Sequence, residues 1–151
     1  MKERYWEDFK VGEKFISPGV TLTQGGIIDF ALRYDPQPFH LDADAAAESP
    51  YGGLIASGFH TLALCFRMFI SQGVFGACSM GSPGIDELRW LAPVRPGDTL
   101  KTETEVLEAR PSSSKPDRGT LRMHYSAINQ KRDKVLTMIV IHILKRRAPS
   151  K

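Results

Sequence analysis

The chain carries only two cysteines, Cys65 and Cys78, in 151 residues, too few for a disulfide framework. Cys65 sits in a strongly apolar segment and reads as a small core hydrophobe. No apolar run reaches the roughly 18–20 residues that a bilayer span needs. The opening residues, Met1-Lys2-Glu3-Arg4-Tyr5-Trp6-Glu7-Asp8, lack the apolar centre of a signal peptide. A cytoplasmic protein without membrane contact is expected. A basic stripe interleaved with aromatics is missing too, so nucleic acid is not an expected partner. The net charge is only +3, and part of it lies in Lys145-Arg146-Arg147 and Lys151. Residues 146–151 read as a solvated, flexible tail.

Several chemistries are excluded on their own terms. No two histidines stand four apart and no Cys-x-x-Cys exists, so no metal site is expected. Gly76, Gly81 and Gly84 lack the preceding strand, lysine and hydroxyl of a phosphate-binding loop. A Gly-x-Ser-x-Gly nucleophile turn is absent.

What remains is the make-up of an ordered globular chain, 42% hydrophobic and 25% charged. One domain over residues 1–151 is expected, with enough length to bury a core. Phe15 to Leu22 reads as a first strand, bent at Pro18-Gly19. Thr23 caps a predicted helix through Ile27, Ile28, Phe30, Ala31 and Leu32. That helix must stop before Asp35, because Pro36 drives the preceding residue toward extended backbone. A short alanine-rich helix is expected over 42–48. Ser57 is a good N-cap for a longer helix over 58–72, which Gly73 ends. Its residues, from Phe59 through Leu62, Cys65, Phe66 and Phe69 to Ile70, are apolar almost all round, so it belongs inside something. Strands are expected over 85–91 and 99–107. In the second, Leu100, Thr102, Thr104 and Val106 alternate with charged residues. A hairpin over 120–129 and 135–144 completes the pattern.

The segment with chemistry in it is Asp35-Pro36-Gln37-Pro38-Phe39-His40, followed by Ser57-Gly58. Asp35 and His40 are a carboxylate and an imidazole on a loop in which two prolines fix φ. Fully extended, the five steps between them would span about 16 Å. Sharing one water therefore requires the loop to fold back. His40 can titrate near neutrality, and Asp35 can orient it or hold the same water. Gly58 opens a helix whose first N–H groups lack intrahelical partners. The helix dipole favours negative charge there.

These features line up with a family. The chain resembles the MaoC-like acyl dehydratases, which include the (R)-specific enoyl-CoA hydratases. Their signature is Asp, any residue, Asn-Pro, an aliphatic residue and His, with a glycine at the next helix start. Trp6-Glu7-Asp8-Phe9-Lys10-Val11-Gly12 and Trp90-Leu91-Ala92-Pro93-Val94-Arg95-Pro96-Gly97-Asp98-Thr99-Leu100 are similar to two further family segments. Gln37 stands where the pattern has Asn, and Phe39 where it has an aliphatic residue.

The resemblance implies an α+β hot-dog fold, with a long apolar helix wrapped by a curved antiparallel sheet. It implies hydration of an enoyl-CoA thioester or dehydration of the 3-hydroxyacyl form, within fatty acid metabolism. Asp35, His40 and the Gly58 N–H are then catalytic, and Gln37, Phe39 and Ser57 contact substrate. Coenzyme A arrives as part of the substrate, so no separate cofactor is expected. A homodimer or larger homo-oligomer is. Arg89, Arg95 and Arg122 are candidates to meet the phosphates. His60 reads as packing or capping support, and His124 and His142 as structural or exposed. Two other readings stay open: a hot-dog thioesterase, and a non-catalytic acyl-CoA-binding module with a vestigial dyad. Residues 58–72 contain no Asp or Glu, which counts against thioesterases that carry a carboxylate on that helix.

Overall fold

A computed structural model describes residues 3–148. After a 3-10 turn at Trp6–Asp8, the elements in chain order are β1 (Lys14–Ile16), β2 (Val20–Thr21), α1 (Gln24–Tyr34), α2 (Pro38–Leu41) and α3 (Ala43–Glu48). Then come α4 (Gly58–Ile70), β3 (Gly84–Trp90), β4 (Thr99–Pro111), β5 (Arg118–Ile128) and β6 (Lys134–Lys145). The strands form one antiparallel sheet in the order β1-β4-β5-β6-β3, with β2 also paired to β4. Pro18 and Gly19 split the predicted first strand. Both halves pair with β4, Ile16 against Glu103 and Val20 against Leu100.

Alternation decides which face of the sheet is wet. Leu100, Thr102, Thr104 and Val106 of β4 turn inward, as do Leu121, Met123 and Tyr125 of β5, and all are buried. The long helix α4 lies against β4 and β5. The Thr102 hydroxyl donates to the Cys65 carbonyl at 2.8 Å, pinning helix to sheet. Phe69 occupies the centre, with Phe15, Phe75 and Tyr125 around its ring. This is the hot-dog arrangement that the family resemblance implies. No helix among the described residues is long and apolar enough to cross a membrane.

One copy does not cover the helix. The face of α4 bearing Thr61, Cys65, Met68 and Phe69 is buried, whereas Phe59 remains 60% exposed and Phe66 38%. An apolar groove of about 590 Å³ runs there, bounded by Phe59, Leu62 and Phe66 of α4 and by Ile85, Met138 and Val140 of the sheet. Among the described residues, the edge strand β3 alongside has a neighbouring strand only on its β6 side.

Three local differences from the sequence reading have clear causes. α4 ends at Ile70 rather than Gln72; Ser71 forms its C-cap, and Gly73 turns the chain away at φ +72°. β4 runs on to Pro111 because β5 keeps pairing with it out to Gly119. The first two residues of the expected tail, Arg146 and Arg147, make defined contacts. The Arg146 N–H donates to the Asp117 carbonyl at 2.8 Å. Arg147 reaches the Asp8 carboxylate at 2.6 Å, and its N–H donates to Glu7. Acidic residues of the opening turn thus hold the basic end. Residues 149–151 lie outside the described part.

Candidate active site

Asp35 follows the last residue of α1, and its N–H still donates to the Ala31 carbonyl as the helix closes. The chain then folds back. The Gln37 N–H donates to the Asp35 carbonyl at 2.7 Å, and the His40 N–H to the Gln37 carbonyl at 3.0 Å. Pro38 occupies the first position of α2, where a missing N–H and a fixed φ cost nothing. This one-turn helix was not apparent from the sequence, which reads as a loop. It brings His40 Nε2 to 3.2 Å from Asp35 Oδ2, where an extended chain would have held them far apart. The fold-back needed to share a water is present.

The orientation of the imidazole is set by its other nitrogen. His40 Nδ1 lies 2.7 Å from the Ile55 carbonyl oxygen. A carbonyl can only accept, so Nδ1 carries the hydrogen. Nε2 is therefore the nitrogen free to gain or lose a proton, and it faces Asp35. His40 itself is 3% exposed, with the Phe39 ring edge-on at 4.5 Å.

Asp35 is held from three sides. Ser57 Oγ donates to Oδ2 at 2.7 Å, Gln37 Nε2 donates to Oδ1 at 2.6 Å, and His40 adjoins Oδ2. Burial alone would push the carboxyl up. The hydrogen bonds from Ser57 and Gln37 and the neighbouring imidazole outweigh it, leaving Asp35 below the usual carboxylate range. The group is thus a carboxylate at neutral pH.

Across a cavity of about 450 Å³, lined by Asp35, Gln37, Phe39 and His40, stands the first turn of α4. Ser57 caps it by accepting the Phe59 N–H at 3.2 Å. Gly58, the first helical residue, also lines the cavity, and its N–H has no partner among the described residues. Glycine lets the Trp90 indole sit against the helix start, which the sequence did not reveal. A Cβ at position 58 would stand 2.6 Å from Trp90 Nε1, which donates to the Gly58 carbonyl at 2.8 Å. The indole packs directly on the helix start.

Of the six residues expected at the site, Asp35, His40, Gly58, Gln37 and Phe39 border this cavity. Ser57 does not. It is fully buried and donates to Asp35 Oδ2, a support of the carboxylate that its residue type did not announce. Sequence reasoning missed the Ile55 carbonyl, which nothing in the residue type advertises, and the walls supplied by Tyr51 and Trp90. Trp90 opens the segment similar to a family one, but its residue type alone does not say what it packs against. Of the three arginines considered for phosphates, Arg122 is engaged by Asp86 at 2.6 Å and Arg95 donates to the Tyr51 carbonyl at 2.6 Å. Arg89 donates to the carbonyl of Leu88. His60 packs flat on Phe30 at 4.7 Å, and His142 is buried.

Comparison with known proteins gives this geometry a context. A family model described as the MaoC like domain matches residues 8–127. A crystal structure of the MaoC-like dehydratase from Rhodospirillum rubrum is 39% identical and superposes with a TM-score of 0.90, covering 97% of this chain and 99% of that one. An uncharacterized protein of Bacillus subtilis, YdeM, is 31% identical over 93% of this chain and 98% of its own length. The 3-hydroxybutyryl-CoA dehydratase of Methylorubrum extorquens is 32% identical over 71% of this chain and 66% of that protein. Several other curated relatives are longer, and the match spans 29% to 64% of their length.

Proposed function

Because the chain belongs to the MaoC-like dehydratase family, we propose that it adds water to an enoyl-CoA thioester or removes it from the 3-hydroxyacyl-CoA. The observation that carries this reading is the 3.2 Å contact of His40 Nε2 with Asp35 Oδ2, on the wall of a cavity that the N-terminus of α4 enters. In hydration, a water in the cavity touching both Nε2 and the carboxylate gives one proton to Nε2 while its oxygen joins the β-carbon. The dyad then returns one proton to the α-carbon, so the protein ends as it began. Asp35, kept ionised, steadies the imidazolium formed in between. As charge moves onto the thioester oxygen, the free Gly58 N–H and the positive end of the helix stabilise it. One such donor contributes about 3 kcal/mol in comparable oxyanion sites. The similarity to a 3-hydroxybutyryl-CoA dehydratase supports the thioester substrate class.

The test is direct. The purified protein is mixed with crotonyl-CoA and with longer enoyl-CoA esters, following the enoyl thioester absorbance and free thiol together. Absorbance should fall with no thiol released. Thiol release would instead favour a thioesterase, which the lack of any Asp or Glu on α4 argues against. Thermal stabilisation by the esters without either change would point to a binding module.

The same reading includes a homodimer. The uncovered face of α4 and the unpaired edge of β3 lie together, with Phe59, Ile85 and Trp90 each at least 43% exposed. Large apolar side chains so grouped mark an association surface, and a second copy brings the matching surface under two-fold symmetry. Sedimentation equilibrium at micromolar concentration should return twice the mass of one chain. A monomer there would refute the dimer.

A further inference from the structure

Gln37 occupies the N-cap of α2 and caps nothing. Its backbone is extended (φ −95°, ψ 144°), as an N-cap should be, yet its side chain accepts no N–H from the turn that follows. The reason is length. Asn, Asp and Ser cap because a short side chain places an oxygen beside the second or third helical N–H. One more methylene carries the amide past that point. In this chain the amide turns back, and Nε2 donates to Asp35 Oδ1 at 2.6 Å.

Both ends of the Gln37 backbone are tied to the dyad as well. Its N–H donates to the Asp35 carbonyl and its carbonyl accepts from the His40 N–H. The side chain thus springs from a short, fixed loop at the carboxylate it holds. Oδ2 is shared by Ser57 and His40, and Gln37 is the partner of Oδ1. We propose that Gln37 is a positioning residue of the site, a clamp that keeps the Asp35 carboxylate turned edge-on to His40 Nε2, gained at the expense of capping α2. The role rests on the hydration reading above and deepens it. The bland account is an exposed glutamine in a chance surface contact.

The clamp and the chance contact predict different things. A neutral donor to a carboxylate favours its ionised form, so removing the donor must make Asp35 harder to ionise. His40 is the titratable group in contact with Asp35; Ser57 and Gln37 are neutral donors. In Gln37→Met the acid limb of kcat/KM should move to higher pH and kcat should fall several-fold, with KM little changed. In Gln37→Asn the acid limb should move the same way while the thermal midpoint rises, because a short amide now caps α2. Stability and pH profile then part company, which loss of structure cannot imitate.

The Asp35 carboxyl is also titrated by carbon NMR in the wild type and both variants, a readout that needs no turnover. It should titrate at higher pH in both. An Asp35 titration that is the same in all three proteins overturns the clamp and leaves the reaction class untouched. Failure of the wild type to hydrate any enoyl-CoA removes the reaction class, and the carboxyl titration still decides the clamp.

Discussion

Asp35→Asn and His40→Gln should each lower kcat for enoyl-CoA hydration by about 10²–10⁴-fold, the usual range for a lost general acid or base. The double variant should be scarcely slower than the worse of the two. The proton count at Nε2 decides the size of the effect. With Nδ1 committed to the Ile55 carbonyl, His40 can relay a proton only through Nε2, and the imidazolium that results sits 3.2 Å from Asp35 Oδ2. Asn at position 35 keeps the shape but removes the charge that steadies the imidazolium. Gln at position 40 leaves a carboxylate with no relay beside it. Groups that act as one unit do not contribute additively, so either loss disables the same step. Multiplicative effects in the double variant would mean two independent roles and would remove the single shared water. A single variant within about threefold of wild type, well below the range expected for a catalytic acid or base, would remove that residue from the chemistry. Circular dichroism and thermal midpoints of the variants keep folding separate from rate.

The parts of this site that the sequence made legible are those within one short stretch. Asp35 and His40 are five residues apart, Pro36 and Pro38 restrict the loop between them, and Ser57 announces a helix start by residue type alone. The fold was legible for a similar reason. Strand alternation and helix caps are local signals, and β4 buried the residues its pattern marked. What stayed hidden was set by contacts across the chain. The Ile55 carbonyl that fixes the His40 tautomer is a backbone atom and has no sequence signature. The indole of Trp90 meets Gly58 across 32 positions. Arg147 finds Asp8 across 139. Ser57 was correctly placed at the helix start, but its second task, donating to Asp35, needed both ends of a 22-residue separation in view. Gln37 shows the opposite case. Its departure from the family pattern was visible at once, and its consequence became clear only when its amide was seen to bypass α2.

Acidification from pH 7 to pH 4 should cost the fold up to about 3 kcal/mol through His142 alone. Its ring is 2% exposed, inside a cage of Phe66, Phe69 and Phe75. Nε2 shares a hydrogen bond with the Tyr125 hydroxyl at 2.7 Å. Burial holds the imidazole down at about 4, and the same burial pushes the Tyr125 phenol up, so the pair is neutral throughout the ordinary range. In the unfolded chain a histidine titrates near 6.5. Between those two values the unfolded state binds the extra proton, so stability is complete above about pH 6.5 and declines as pH falls toward 4. His60 and His124, both shifted down by burial, act in the same direction. Asp35, whose titration is lowered, adds only the onset of its loss at the acid end of this window, near the unfolded carboxylate value of about 3.9. Denaturant midpoints measured from pH 7.5 to 4 should therefore slope downward in the wild type. In His142→Gln, which retains a partner for Tyr125 but cannot take the proton, the slope should be much shallower, even though the variant starts less stable at pH 7.5. Parallel slopes in the two proteins would show that His142 is protonated in the folded state at little cost. The polar pair would then lie in contact with water rather than sealed among the aromatic rings.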